Sequence, residues 1–169
     1  ATNLAERAGK LKDFAETTGF TVIELQALEK AGAQVGVSSE SVSRGLERFS
    51  AEMAEVRLQT GQTFEKLLAI NPALAQQVAS ATSLSRAYEL VSDAIKKTDV
   101  ERANQLARAF FGRGGVEQTR LMRVVSEAGG LKGVIAELHQ ADIITAKQAE
   151  RWDTLGDKIA ENMKAAKQN

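Results

Sequence analysis

The chain has 169 residues, 43% of them hydrophobic and 26% charged, which is enough for one domain with a real core and too apolar for a disordered segment. The 22 Lys and Arg balance the 22 Asp and Glu, so no global basic field recruits nucleic acid or a membrane surface. The absence of Cys excludes disulfides, thiolate nucleophiles and zinc–thiolate sites, and no apolar run approaches the ~20 residues that cross a bilayer as a helix. A single Pro, few aromatics and abundant Ala, Leu, Glu, Gln and Lys favour helix from end to end, and period-two alternation is missing.

Leu4, Ala8, Leu11 and Ala15, with Phe14 beside them, predict a first helix ending at Gly19. Thr21 and Glu24 form a capping box that opens a helix carrying Leu25, Leu28 and Val35, closed at Gly36. Ser38 or Ser39 caps the next helix, with Glu40 in its first turn. Val42, Leu46, Phe49, Met53 and Val56 give that helix an apolar stripe. Thr60 to Thr63 reads as a turn, and Phe64, Leu67 and Leu68 as a short helix that stops before Asn71-Pro72. That pair in turn signals a new helix start.

Ser83 opens a helix bearing Leu84, Ala87, Tyr88, Val91, Ala94 and Ile95, with Lys96 and Lys97 at its negative end. Asp99 caps a helix that ends on Phe110-Phe111, and Gly112 closes it. After Gly114 and Gly115 comes a helix with Val116, Leu121, Val124 and Val125, closed by Gly129-Gly130, then a short one through Leu138. Thr145 and Gln148 form a second capping box, opening a helix whose Ala149, Trp152, Leu155, Ile159 and Met163 are spaced almost as a coiled-coil seam. The expectation is an all-α, compact multi-helix domain over residues 1–169, with about nine or ten mostly short helices and Phe49, Phe64, Phe110 and Trp152 as large core fillers. The first and last helices are expected to pair antiparallel, with Leu4 near Met163, and to continue as a coiled coil in a longer molecule. The start on Ala1 and the uncapped last helix favour a piece of a longer protein.

Motifs for chemistry are weak. His139 is the only histidine, and no Ser stands in a nucleophile elbow. Asp93, Asp99 and Glu101 lack the alternation of a calcium loop. Glu47, Glu52 and Glu55 are spaced as a solvated helix face, not as a glycosidase pair. Gly112-Arg-Gly-Gly115 lacks the Lys-Ser/Thr of a phosphate loop. No catalytic residue, metal or cofactor is implied. What remains is a structural hinge at Phe110, Phe111, Gly112, Gly114 and Gly115. Adjacent helical positions diverge, so one of the two rings is expected in the core and the other against a neighbouring helix or a partner. Beside the hinge lies a local excess of four positive charges, a candidate anion or partner patch of Arg102, Arg108, Arg113, Arg120 and Arg123 against Glu117 alone.

Three stretches resemble the tail tape measure proteins of phages and prophages. Thr18 to Leu28 is similar to a recurrent threonine-glycine segment followed by a helix with paired leucines. Gly36 to Leu46 is similar to a glycine-valine-serine segment leading into a helix. Ala103 to Gly115 resembles the family's aromatic-glycine pair and glycine hinge before a Leu/Val-rich helix. The resemblance runs over about residues 15 to 160. It implies a non-catalytic structural segment that takes part in tail assembly and tail-length determination, located in the virion tail and assembled in the bacterial host cytoplasm. Its partners would be tail tube or other tail assembly proteins, with self-association through the terminal helices. Nucleic acid is not expected as a partner, nor a membrane span. Two other classes stay open: a non-catalytic helical adaptor that holds a partner protein, and a nucleic-acid-binding helical domain using Arg102 to Arg123.

Overall fold

The computed structural model describes residues 2–139 and 142–168, and among them it forms ten α-helices and no strand. In chain order these are α1 (Thr2–Thr18), α2 (Val22–Gln34), α3 (Ser39–Arg57), α4 (Gly61–Ile70) and α5 (Pro72–Ala79). They continue as α6 (Leu84–Lys97), α7 (Val100–Phe111), α8 (Gly115–Glu127), α9 (Leu131–Ala136) and α10 (Ala146–Gln168), with one 3₁₀ turn at Gly112–Gly114 between α7 and α8.

The local signals act where expected. Thr21 Oγ1 accepts from the Glu24 amide at 3.1 Å while the Thr21 amide donates to Glu24 Oε1 at 2.8 Å, so two orphan donors of α2 are satisfied reciprocally. Thr145 and Gln148 repeat the arrangement before α10. Ser38, Asn71, Ser83 and Asp99 cap α3, α5, α6 and α7, and Pro72 stands where its missing N–H is not needed. The segment Gly61 to Thr63, expected as a turn, is instead the first turn of α4. Thr63 explains the difference: its hydroxyl sits between the Glu52 carboxylate (2.7 Å) and the Ala109 carbonyl (2.8 Å), which ties α4 to α3 and α7 from its start.

The helices α2 to α9 enclose one apolar core, and α3 runs through the middle of it with Val42, Leu46, Phe49, Met53 and Val56 all buried. Around Phe49 the aromatic rings form a connected set. Phe49 and Tyr88 meet edge-on at 5.5 Å, Phe20 meets Tyr88 edge-on at 5.9 Å, and Phe110 lies 4.8 Å from Phe49. Such pairs add roughly 0.5–1.5 kcal/mol each beyond the area they bury. Phe20 and Tyr88 are fully buried, whereas Trp152, expected as a core filler, is only half-buried on α10 and lies outside the core.

Helices α1 and α10 pair antiparallel through small residues. Ala8 and Ala149 are completely buried, Gly156 faces Ala5, and Gly9 lies against Asp153, whose carboxylate also takes an ion pair from Lys12 at 3.1 Å. The other face of α1 carries Leu11 and Phe14 into the body. Gln26 of α2 anchors the approach to α10, donating from Nε2 to the Ile144 carbonyl (2.7 Å) and accepting from the Ile144 amide at Oε1 (2.9 Å). The register corrects the expected Leu4–Met163 neighbourhood. With Ala5 opposite Gly156, Leu4 falls near Asp157 and Lys158, and Met163 projects beyond Thr2 by about 6 Å at 1.5 Å per residue.

Candidate functional site

Two regions of the surface depart from an ordinary solvated helix face: the reversal between α7 and α8, and the outer side of α10.

At the reversal, Phe110 and Phe111 are both buried, and both rest on Phe49, at 4.8 and 6.1 Å. The second ring therefore lies against a neighbouring helix, α3, and not at a surface open to a partner, and it does so inside the same core as the first. Adjacent helical positions diverge by about 100°, but α3 crosses the end of α7 so that one large ring at position 49 is met by both. Gly112 follows with φ +65, a left-handed conformation that disfavours any side chain, and the Arg48 guanidinium lies directly over it, within 2.8–3.0 Å of where a Cβ would stand. Gly115 meets a different constraint. A Cβ there would come within 2.8–3.0 Å of the Ala107 and Arg108 backbone, so the start of α8 can press against the last turn of α7 only without a side chain. Gly114 is exposed at the N-cap of α8 and no side chain caps that helix.

Two of the five arginines of the expected patch point apart. Arg102 and Arg108 are both exposed on α7 but point roughly 120° apart by helical geometry, and Arg102 reaches its own cap residue Asp99 at 3.9 Å. Arg113 and Arg120 are exposed on the 3₁₀ turn and α8, and Arg123 is half-buried. Two further arginines stand at the hinge, Arg44 and Arg48 of α3, which line a notch of about 190 Å³ together with Ser41, Gly114, Glu117 and Gln118. The only sign of them in the sequence is an i, i+4 arginine pair on the side of α3 away from its apolar stripe. Nothing local connects that pair to a turn so far along the chain.

On α10 the seam divides. Its first member, Ala149, meets α1 together with Asp153 and Gly156, while Leu155 and Ile159 stand 45 and 49 % exposed on the adjoining side and Met163, 59 % exposed, continues the Gly156 line beyond Thr2. Lys147, Arg151 and Lys158 flank this stripe.

The remaining candidates are dispersed. His139 is exposed just after α9. Asp93 accepts from the Ser126 hydroxyl at 2.6 Å, Asp99 is a helix cap, and Glu101 is exposed. Glu47 and Glu55 are exposed on α3, and Glu52 binds Thr63. Among the described residues no three His, Asp or Glu side chains are grouped to hold a metal ion, and no helix is long and apolar enough to cross a membrane. Two groups have displaced pKa values. Lys12 is raised chiefly by its hydrogen bond to Asp153 and by that carboxylate's charge, and the Tyr88 phenol is pushed up by complete burial. Comparison with protein families, with curated proteins and with solved structures finds no match to this chain.

Proposed function

We propose that this chain is a non-catalytic structural segment of a phage or prophage tail tape measure protein, working in tail assembly and length determination within the virion tail. The observation that carries the reading furthest is the α1–α10 hairpin. Its two helices are held together by Ala and Gly, so the larger apolar side chains Leu155 and Ile159 stay on the outside, and Met163 lies beyond the start of α1. A stripe at that spacing is a coiled-coil surface waiting for another helix. Together with the threonine-glycine, glycine-valine-serine and Phe-Gly-Arg-Gly-Gly stretches, it fits a globular insert between extended coiled-coil portions. Tail tube or other tail assembly proteins, and further copies of the same chain, are the partners this reading supplies.

Tail particles purified from the induced source strain should contain peptides of this chain, and an in-frame duplication of the segment in its gene should lengthen the tails seen by electron microscopy. Tails of unchanged length from a strain that makes the duplicated protein would overturn the proposal. The adaptor alternative draws on one further feature, an open groove of about 700 Å³ between α1, α2 and α3 with Leu11, Phe14 and Leu25 at its base. A partner helix that protects those three residues, while leaving Leu155 and Ile159 untouched in hydrogen exchange, would favour it.

A further inference from the structure

The outer stripe of α10 has two unlike borders. One is α1, which meets the helix along Ala149, Asp153 and Gly156. The other is basic. Leu155 and Ile159 are the exposed apolar side chains of the stripe, and Trp152, one turn before Leu155, is half-buried at their inner end. Arg151 and Lys158 stand four residues before and three after Leu155, so both neighbour it on the helix surface. Both are turned roughly 40–60° from it, on the side away from α1. Lys147 extends the same border by a further turn. All three cations are exposed, and none is within ion-pair distance of a carboxylate among the described residues. The acids of this stretch keep off the stripe. Glu150, Asp157 and Glu161 lie roughly 120–160° round the helix from Leu155, and Glu150 alone reaches the outer margin of the surface that Lys147 and Arg151 line. The helix thus sorts its charges, with a basic edge beside its apolar side chains and the acids beyond that edge.

We propose that this face receives an amphipathic helix of a different chain, one whose apolar side is bordered by Asp and Glu. Trp152, Leu155 and Ile159 follow one another at three and then four residues, the spacing of a coiled-coil seam, which suits a helix laid along it. The side chains that border such a seam set the choice of partner, and here only the basic border is open. Carboxylates on the incoming helix meet Arg151 and Lys158 at the rim, where opposite charge speeds the right encounter and like charge rejects the wrong one. A second copy of this chain fits poorly. Laid antiparallel, two α10 helices bring their basic edges together. Laid parallel, the edge that each needs on the other is covered by α1. The inference rests on the coiled-coil reading of α10 given above, and among the partners which that reading supplies it selects a different chain over a further copy.

The test is a titration of the 169-residue chain with two synthetic helices that lack Trp. Each has about three heptads with Leu along one seam, and the residues beside that seam are all Glu in one and all Lys in the other. Trp152 is the single tryptophan of the chain and lies beside Leu155, so its emission reports a helix laid on the stripe. The Glu-bordered helix should move that emission to shorter wavelength, saturably, with a Kd on the order of 10–100 μM at low salt. The Lys-bordered helix should bind at least about tenfold more weakly, and the gap should narrow as added salt screens the rim. R151E/K158E should exchange the two preferences, and L155Q/I159Q should remove both responses. All four positions are exposed, and circular dichroism checks that the variants stay helical. Vesicles of equal parts phosphatidylcholine and phosphatidylserine should leave the emission unchanged. An equal or reversed preference, or no saturable shift with either helix, would overturn the proposal. So would a response to the vesicles alone, which assigns the face to lipid, or self-association that L155Q/I159Q abolishes, which assigns it to a second copy. The peptide preference is read on the purified chain, so tails that lack this protein would sink the tail assignment and leave this result standing.

Discussion

The body and the α1–α10 hairpin solve the same packing problem with opposite materials. Around Phe49 the body packs large rings from α3, α6 and α7, together with Phe20 in the link between α1 and α2, and leaves almost none of them exposed. The hairpin closes on Ala5, Ala8, Gly9, Ala149 and Gly156, which bury little area each, and turns its largest apolar residues outward. Burial scales with the apolar area removed from water, so the body has the means to be stable alone. The hairpin gains less from its own pairing and has more to gain from an added helix. The molecule thus separates a fold-determining region from a helix pair that keeps apolar side chains exposed.

Four measurements can break or sharpen that contrast. Phe49→Ala removes the ring that Phe20, Tyr88, Phe110 and Phe111 all meet directly, and should cost about 3–5 kcal/mol in urea unfolding. A loss below about 1 kcal/mol would mean that the body is not organised around position 49. Next in size is Ala149→Leu, which forces three extra heavy atoms between α1 and α10 and should cost about 1–3 kcal/mol. Hydrogen exchange should then speed up in α10 and α1 while the amides of α3 and α6 keep their protection. Uniform loss of protection would show that body and hairpin unfold as one unit.

Tyr88→Phe comes third and has the opposite sign. The Tyr88 hydroxyl is buried with no partner, so its removal should stabilise the fold by up to about 1 kcal/mol. It should also change the alkaline limb of the stability profile. The phenol's folded pKa is raised by burial, so its contribution is whole below the ordinary tyrosine range near 10 and is lost as pH climbs above it, because the unfolded chain releases the proton first. The variant should lose stability less steeply above pH ~10. Lys12 is also raised and contributes a decline of the same sign at higher pH. The smallest effect on folding is expected from changing Leu155, Ile159 and Met163 together to Gln, within about 0.5 kcal/mol for exposed positions. Sedimentation velocity should nevertheless show that any concentration-dependent association of the unaltered chain is abolished. Association that survives the triple change would move the contact surface elsewhere.

The elements whose causes are local were legible in the sequence. The Thr21/Glu24 and Thr145/Gln148 boxes, Asn71-Pro72 and the Val42 to Val56 stripe each draw on residues within one or two turns. Trp152 shows where such reasoning stops. Seam spacing identifies an apolar face but not whether anything covers it, and α1 chose the Ala149–Gly156 line because two small-residue faces approach more closely. Phe20 sits in a linker with no periodicity to mark it, and Tyr88 passed as one of several stripe residues although it is the largest side chain to be fully buried. Arg44, Arg48 and Gln118 were illegible as a group for the same reason: only the crossing of α3 with the α7–α8 reversal joins them.

The stacking of the Gln118 amide on Gly45 has a consequence for how this protein can change over generations. Any residue larger than glycine at position 45 meets the Gln118 amide at 2.5–2.9 Å, so that flexible end must swing aside and give up its bond to the Ser41 carbonyl. The two sites are therefore coupled in one direction: what position 45 tolerates depends on what stands at 118. Lineages descended from this chain should exchange Gly45 more readily where residue 118 is already shorter.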